Sequence, residues 1–331
     1  MKTWKVIYAA MGISLAVGSI VTASCGLSEV NRNIYQNALD LDETMQELGF
    51  DGFSLKATKV RFYDGSNDYV VQVDAVGHIT IKKEKPQLDV YAGTTVEADG
   101  QWQALLPTYE QFSRLFDALE ALGSYEQGVQ EGSFAFSKSD YGESSHAATI
   151  WHEAFHAWQS ENWPEDVEAL MEKAEVGNED SREDIIVKDV DSDRELVTLF
   201  NEEMQLLMKA YRAEDPEEKR ALIADVLEIA EKRKEKLSQA AEAMEYFLEN
   251  YEGSARYVES MAYRELEGES AWETIYLMEF RYENGSGKYY DMGMMKCLLL
   301  DQLSDGWQKE SSPENGLDEL LSTAIDLKHV R

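Results

Sequence analysis

The sequence predicts an α+β fold in which a small β-sheet region precedes a mainly helical region. In the first half of the chain, short runs rich in β-branched and aromatic residues are separated by turn pairs such as Asp99-Gly100. Beyond Ser144 the spacing of the apolar residues is almost wholly helical. We therefore expect a β-rich subdomain over 53–140 and a helical subdomain over 141–331, with a functional site at their junction.

The elements of the first half can be placed in order. Thr108-Tyr109-Glu110-Gln111 has the pattern of a capping box and predicts a helix that runs to about Leu122. A further short strand, Ser133–Ser137, is expected just before the helical region. The strands predicted ahead of that helix are Thr58–Tyr63, Tyr69–Asp74, Ile79–Lys83 and Leu88–Tyr91.

The N-terminus has the pattern of an export signal. Lys2 and Lys5 precede an apolar run over 6–21, and small residues follow it immediately before Cys25. Small residues before a cysteine resemble the bacterial lipobox, in which the cysteine is lipidated and becomes the first residue of the mature protein. The position three before the cysteine holds Thr22, where the lipobox favours leucine.

This pattern predicts a signal peptide of the lipoprotein type over 1–24 and a lipid on Cys25. Residues 25–52 would then form a tether or a first helix. The expected location is extracytoplasmic, on a membrane-anchored lipoprotein. Cleavage after Ala23, which would give a secreted protein, is the alternative.

Composition narrows the classes of partner. The chain has 331 residues, of which 44% are hydrophobic, and this is enough for a packed core. Acidic residues number 64 against 31 basic ones, which gives a net charge of −33. This charge repels phosphate backbones and anionic lipid headgroups, so nucleic acid is excluded as a partner and membrane contact is expected only through the N-terminal lipid.

The chemistry-bearing motif is His152-Glu153-Ala154-Phe155-His156. Two imidazoles four residues apart lie on one face of a helix and can share a tetrahedral zinc ion. Glu153 stands beside the first ligand, where its carboxylate can take a proton from water and return it to a leaving amine. Only five histidines occur in the chain, and two of them fall at this spacing in an apolar, helical context. We read the other three, including His146, as ordinary polar or surface residues.

Catalytic zinc needs a third protein ligand, and the segment 249–259 offers several carboxylates. Together with the HExxH motif, Glu252-Gly253-Ser254-Ala255 resembles the gluzincin metallopeptidases, in particular the catalytic core of aminopeptidase N-type enzymes. The resemblance implies a zincin-like catalytic region with Glu252 as the third ligand. Glu249 and Glu259 compete with it, or could instead accept a hydrogen bond from the N–H of a ligating histidine.

The same resemblance implies a role for Tyr290. In aminopeptidase N-type enzymes a Tyr-x-x-Gly segment supplies a phenol that stabilises the developing oxyanion, and Tyr290-Asp291-Met292-Gly293 looks like that segment. The other interpretation is aromatic packing at a helix start. The family's Gly-x-Met-Glu-Asn segment has no match, and Gly132 to Phe136 stands in its place, so aminopeptidase specificity is not implied. That strand could instead offer an edge for an extended peptide.

The sequence therefore predicts a zinc-dependent metallopeptidase that acts on a peptide or small protein substrate. The first alternative is a non-catalytic surface lipoprotein that uses a zincin scaffold to bind peptide, although the intact Glu153 argues against it. The second is a purely structural helical protein in which the histidine pair is incidental.

Overall fold

A computed structural model of the chain describes residues 26–88, 93–121, 140–163, 185–277, 282, 284–312 and 315–326. Its fold is α+β, as the sequence predicts, with a five-stranded sheet followed by mainly helical structure. The export signal over 1–24, Cys25 and the strand expected at Ser133–Ser137 lie outside the described residues. Within the described part of the chain, no helix is long and apolar enough to cross a membrane.

The sheet has the strand order β3-β2-β1-β5-β4. β1 and β5 are parallel, and the other neighbouring pairs are antiparallel. Three strands match the predicted runs within one residue, whereas Leu88–Tyr91 lies mostly outside the described residues. The strands are β1 (Lys59–Tyr63), β2 (Asp68–Val73), β3 (Ile79–Glu84), β4 (Thr94–Ala98) and β5 (Gln101–Pro107).

Two helices begin at side-chain caps. The Thr108 hydroxyl accepts from the Gln111 amide at 3.3 Å, and the Asp215 carboxylate accepts from the Glu217 amide at 3.1 Å. The helices are α1 (Glu29–Asp40), α2 (Asp42–Gln46), α3 (Tyr109–Ala121), α4 (Glu143–Asn162), α5 (Arg194–Arg212), α6 (Pro216–Lys234), α7 (Gln239–Phe247), α8 (Gly253–Glu267), α9 (Glu269–Tyr276), α10 (Gly287–Leu303) and α11 (Leu317–Asp326). Two π-helical turns, Val187–Asp191 and Leu248–Glu252, and a 3-10 turn, Trp307–Lys309, complete the described helical structure.

Helix α4 is the central element, because it packs on β5 and α1 on one side and on α8 on the other. Trp151 and Phe155 are fully buried and contact Phe53 edge-on, with ring centroids 5.5 and 5.1 Å apart. Burying these large apolar side chains removes several hundred square ångströms from water and fixes the rotation of α4 about its axis. His152, which lies between them, then faces α8, where it contacts Glu259.

Helices α8 and α10 cross at an unusually close distance. A Cβ on Gly293 would lie 2.1 Å from the carbonyl oxygen of Glu249, and one on Gly253 would lie 2.6 Å from the Cα of Gly293. Only two glycines allow the backbones to approach this closely. The crossing brings the start of α10 against the π-helical turn that ends at Glu252.

Candidate metal centre

The two histidines of the HExxH motif face each other on α4. Their Nε2 atoms are 3.0 Å apart, and His152, Glu153 and His156 are all more than 90% buried. The four-residue spacing places both rings on one face of α4, next to the face that carries the aromatic residues anchored in the core. The sequence therefore brings two imidazole nitrogens to one point.

Glu252 supplies a third donor atom at the same point. Its Oε2 lies 3.0 Å from Nε2 of His156 and 3.6 Å from Nε2 of His152. These three ligand atoms lie within 4.8 Å of one another. Among the described residues, no other group of three His, Cys, Asp or Glu side chains brings its ligand atoms this close together. Glu252 ends the π-helical turn Leu248–Glu252, a distortion that is frequent at functional sites.

The donor set fits a zinc ion. Two imidazoles and one carboxylate are the protein ligands of one common class of catalytic zinc site, in which a fourth position stays open for water or substrate. Such a site also requires that each ligating histidine has an acceptor on its other ring nitrogen.

Both histidines have that second support. Nδ1 of His152 lies 2.8 Å from Oε2 of Glu259, and Nδ1 of His156 lies 2.7 Å from Oε1 of Gln159. The amide of Gln159 donates through Nε2 to the carbonyl of Tyr251 and the hydroxyl of Ser254, so its oxygen must face the ring. The His156 ring therefore carries a proton on Nδ1, which leaves its Nε2 lone pair free to bind a metal. The contact of His152 with Glu259 is an ion pair rather than a hydrogen bond, because Nδ1 of His152 has no hydrogen-bond partner among the described residues.

Glu259 is itself held by two groups. Its Oε1 accepts from the Arg256 guanidinium at 3.1 Å and from the Tyr276 hydroxyl at 3.0 Å. Glu259 is one of the two acids that the sequence offers as a partner for the second ring nitrogen of a histidine. Gln159 was missed, and its position one helical turn after the second motif histidine is the signal that could have found it.

Glu249, the other acid offered for that role, does not contact either histidine. Its carboxylate receives the Arg233 guanidinium at 3.1 Å and the Lys296 ammonium at 2.5 Å. Both glutamates belong to the π-helical turn Leu248–Glu252. Glu252 points from this turn toward the histidines, and Glu249 points toward Arg233 and Lys296. There it joins a buried ion cluster that also contains Glu203, Glu245, Lys234 and Asp318.

The electrostatics of the donor group suit a cation. Burial alone would raise the pKa of Glu252, but the two histidines hold it well below its usual range. Burial alone would lower the pKa of His152, but the carboxylates of Glu252 and Glu259 raise it to about 10. The two carboxylates thus favour positive charge at the point where the donor atoms meet.

Glu153 has a different environment from the ligands. Burial raises its pKa to about 7, although His152 and His156 oppose the shift. Its Oε2 is buried without a hydrogen-bond partner among the described residues. A carboxylate whose pKa is close to neutral is suited to both accept and return a proton.

Tyr290 lies in the first turn of α10, above the histidine pair. Its ring is stacked on His152, with centroids 6.5 Å apart and planes inclined by 20°, and the Arg256 guanidinium lies 5.5 Å from its centroid. Tyr289 points away from the site, because it is fully buried and donates its hydroxyl to Glu245 in the ion cluster. Of the two adjacent tyrosines, only Tyr290 lies beside the candidate metal ligands.

His146 is not a surface residue, contrary to the interpretation of the sequence. It is fully buried on α4, hydrogen-bonds Tyr141 and stacks against Phe62 with ring centroids 6.3 Å apart. Burial lowers its pKa to about 3. It shares the apolar face of α4 with Ile150, four residues on, and this spacing was the signal that could have indicated burial.

Comparisons of the chain with protein-family models, with curated proteins and with solved structures find no match.

Proposed function

We propose that this chain is a zinc-dependent metallopeptidase of the gluzincin type. The observation that carries the proposal is the convergence of Nε2 of His152, Nε2 of His156 and Oε2 of Glu252 within 4.8 Å. Beside them lies the Glu153 carboxylate, whose Oε2 has no hydrogen-bond partner among the described residues. His152, His156 and Glu252 would hold the zinc ion. The ion would supply Lewis acidity toward water and a peptide carbonyl.

The chain's own residues supply the proton transfers. Glu153 accepts a proton from the attacking water and returns it to the leaving amine, and its pKa of about 7 suits both steps. Glu259 and Gln159 fix the ring orientations of the ligands. Tyr290 would donate a hydrogen bond to the developing oxyanion from the side opposite the ligands.

Strand β4 is suited to hold an extended substrate. Asp99 and Gly100 have φ of 54° and 71° and form a two-residue hairpin turn between β4 and β5. Ala98 and Gln101 flank this turn, so these two residues are the hydrogen-bonded pair next to it. Hydrogen-bonded and non-hydrogen-bonded pairs alternate along an antiparallel ladder, so the N–H and C=O groups of Thr95 face away from β5. On that side of β4, no described strand pairs with it. A peptide added there would run past Glu153, because the start of β4 contacts that side chain.

The location expected from the N-terminus forms part of the proposal. Residues 1–24 would direct export, and a lipid on Cys25 would be the means of membrane attachment. A peptidase placed there would meet peptides and small proteins outside the cytoplasm.

The decisive experiment is a cleavage profile on a mixed peptide library, with zinc content measured on the same samples. The wild type should contain about one zinc per chain and cleave peptides. Glu153→Gln should retain the zinc and lose nearly all turnover, because the amide keeps the shape but cannot accept the proton. Glu252→Ala should lose zinc, because two histidines alone leave the ion under-coordinated.

The matched control is Glu265→Ala, which removes an exposed carboxylate from the same helix as Glu259 and should change neither property. Absence of zinc from protein purified without chelator would refute the metal centre. Full zinc occupancy without any cleavage by the wild type would refute the peptidase and favour a peptide-binding module.

A further inference from the structure

The main chain at Gly93 lies directly against the side chain of Glu153. Gly93 immediately precedes β4, and a Cβ built on it would lie 1.9 Å from Oε1, 2.3 Å from Cδ and 2.7 Å from Cγ of Glu153. These are the three atoms nearest to that Cβ, so the Glu153 side chain occupies the space that any other residue at 93 would fill.

Backbone conformation does not explain the glycine. Gly93 is absent from the glycines with positive φ, unlike Gly100 at φ 71° in the neighbouring turn. Alanine could therefore adopt the backbone conformation of residue 93 without strain. The requirement at this position is for space.

That space has a chemical consequence. Glu153 is 6% exposed and is enclosed by its own helix on one side, so its carboxylate has little room to retreat. The contact with residue 93 involves Oε1, whereas the buried Oε2 has no hydrogen-bond partner among the described residues. The main chain at Gly93 thus limits the space available to Oε1.

We propose that Gly93 is the positioning residue for the general base: its missing side chain lets the start of β4 hold the Glu153 carboxylate beside the metal ligands. The role of Glu153 as a base rests on the proposed function, whereas the contact itself does not. Because the same segment leads into the strand edge that would bind substrate, Gly93 sets the distance between that edge and the base.

The test is a double-mutant cycle between Gly93→Ala and Glu153→Ala, read by melting temperature, zinc content and kinetics. In the wild-type background, Gly93→Ala should lower Tm by about 2 to 6 °C, because it overpacks a buried contact. In the Glu153→Ala background the same change should shift Tm by less than about 1 °C, because the space is then vacant. Zinc content should be equal in all four proteins.

The kinetic readout separates positioning from a general loss of structure. Gly93→Ala should lower kcat by about tenfold to a hundredfold, because a displacement of the base by about 1 Å is costly, and KM should change by less than about threefold. The control is Gly142→Ala, which adds the same methyl at the start of α4, where φ is −134° and no atom lies within 4 Å. Because Gly142 is the N-cap of α4 and alanine is a poorer N-cap than glycine, this change should lower Tm by the same amount in both Glu153 backgrounds and leave kcat unchanged.

Equal Tm losses in both backgrounds would overturn the proposal, because the methyl would then meet something other than Glu153. A coupled Tm loss with kcat within about threefold of wild type would overturn the positioning role. If the wild type cleaves no peptide, the proposed function fails, and the Tm cycle still decides whether residue 93 holds the carboxylate.

Discussion

The contact between Glu259 and His152 gives the sharpest prediction for metal affinity. Glu259 lies 2.8 Å from Nδ1 of His152 and is held in turn by Arg256 and Tyr276. Glu259→Gln keeps the shape of the side chain but removes the negative charge that pairs with the His152 ring. Loss of such an outer-shell carboxylate typically weakens metal binding by about 10- to 100-fold, which corresponds to about 1.4 to 2.7 kcal/mol.

The assay is a chelator competition at fixed pH and salt, which yields the zinc Kd of each variant. Glu265→Gln removes the same charge from an exposed position on α8 and should leave the Kd within about twofold, because exposed charges are largely screened. Tm in excess chelator should also fall for Glu259→Gln, because Arg256, which is 3% exposed, loses a buried ionic partner. A lower Tm with a Kd within about threefold of wild type would show that Glu259 only stabilises the helix, which would refute its role toward the metal.

Two further predictions concern single side chains on either side of the metal centre. Tyr290→Phe should keep the fold and the zinc content but lower kcat by about a hundredfold, with little change in KM. The assay uses a peptide from the library that the wild type cleaves. A larger loss of kcat in Tyr289→Phe would remove Tyr290 from the mechanism. His146 should make the protein acid-sensitive. Its pKa is about 3 in the folded state and about 6.5 in the unfolded state. Because the unfolded state binds the proton first, the free energy of unfolding should fall as pH falls from 6.5 toward 3. Denaturant unfolding of metal-free protein should show that His146→Gln loses less stability than wild type over this range, by up to about 1.4 kcal/mol per pH unit, and parallel curves would contradict this.

The sequence predicts the parts of the site that depend on local periodicity. The helix spacing of His152 and His156 determines that their rings share a face, and the apolar residues between them determine which way that face turns. The choice of Glu252 over Glu249 and Glu259 came from the resemblance. The structure then gives it a physical basis, because the turn Leu248–Glu252 directs Glu252 to the histidines.

Pairings between distant segments could not be predicted in this way. Glu203, Glu245 and Glu249 come from three separate segments and are buried around Arg233. A sequence window gives each acid the same weight, whereas burial depends on which cation another helix brings opposite it. Removing one member would leave an unpaired buried charge, at a cost of about 3 to 5 kcal/mol.

The π-helical turn Leu248–Glu252 connects the buried ion cluster with the candidate metal ligands. Glu249 is fixed by Arg233 and Lys296 on one side of the π-helical turn, and Glu252 meets the histidines on the other. Lys296 belongs to α10, the helix that also carries Tyr290 and crosses α8 at Gly253 and Gly293. Glu252 and Tyr290 therefore both lie on segments that this ion cluster holds in place. Glu249 contacts neither histidine, but it can still determine the position of the candidate ligand Glu252, because the two share one turn of backbone.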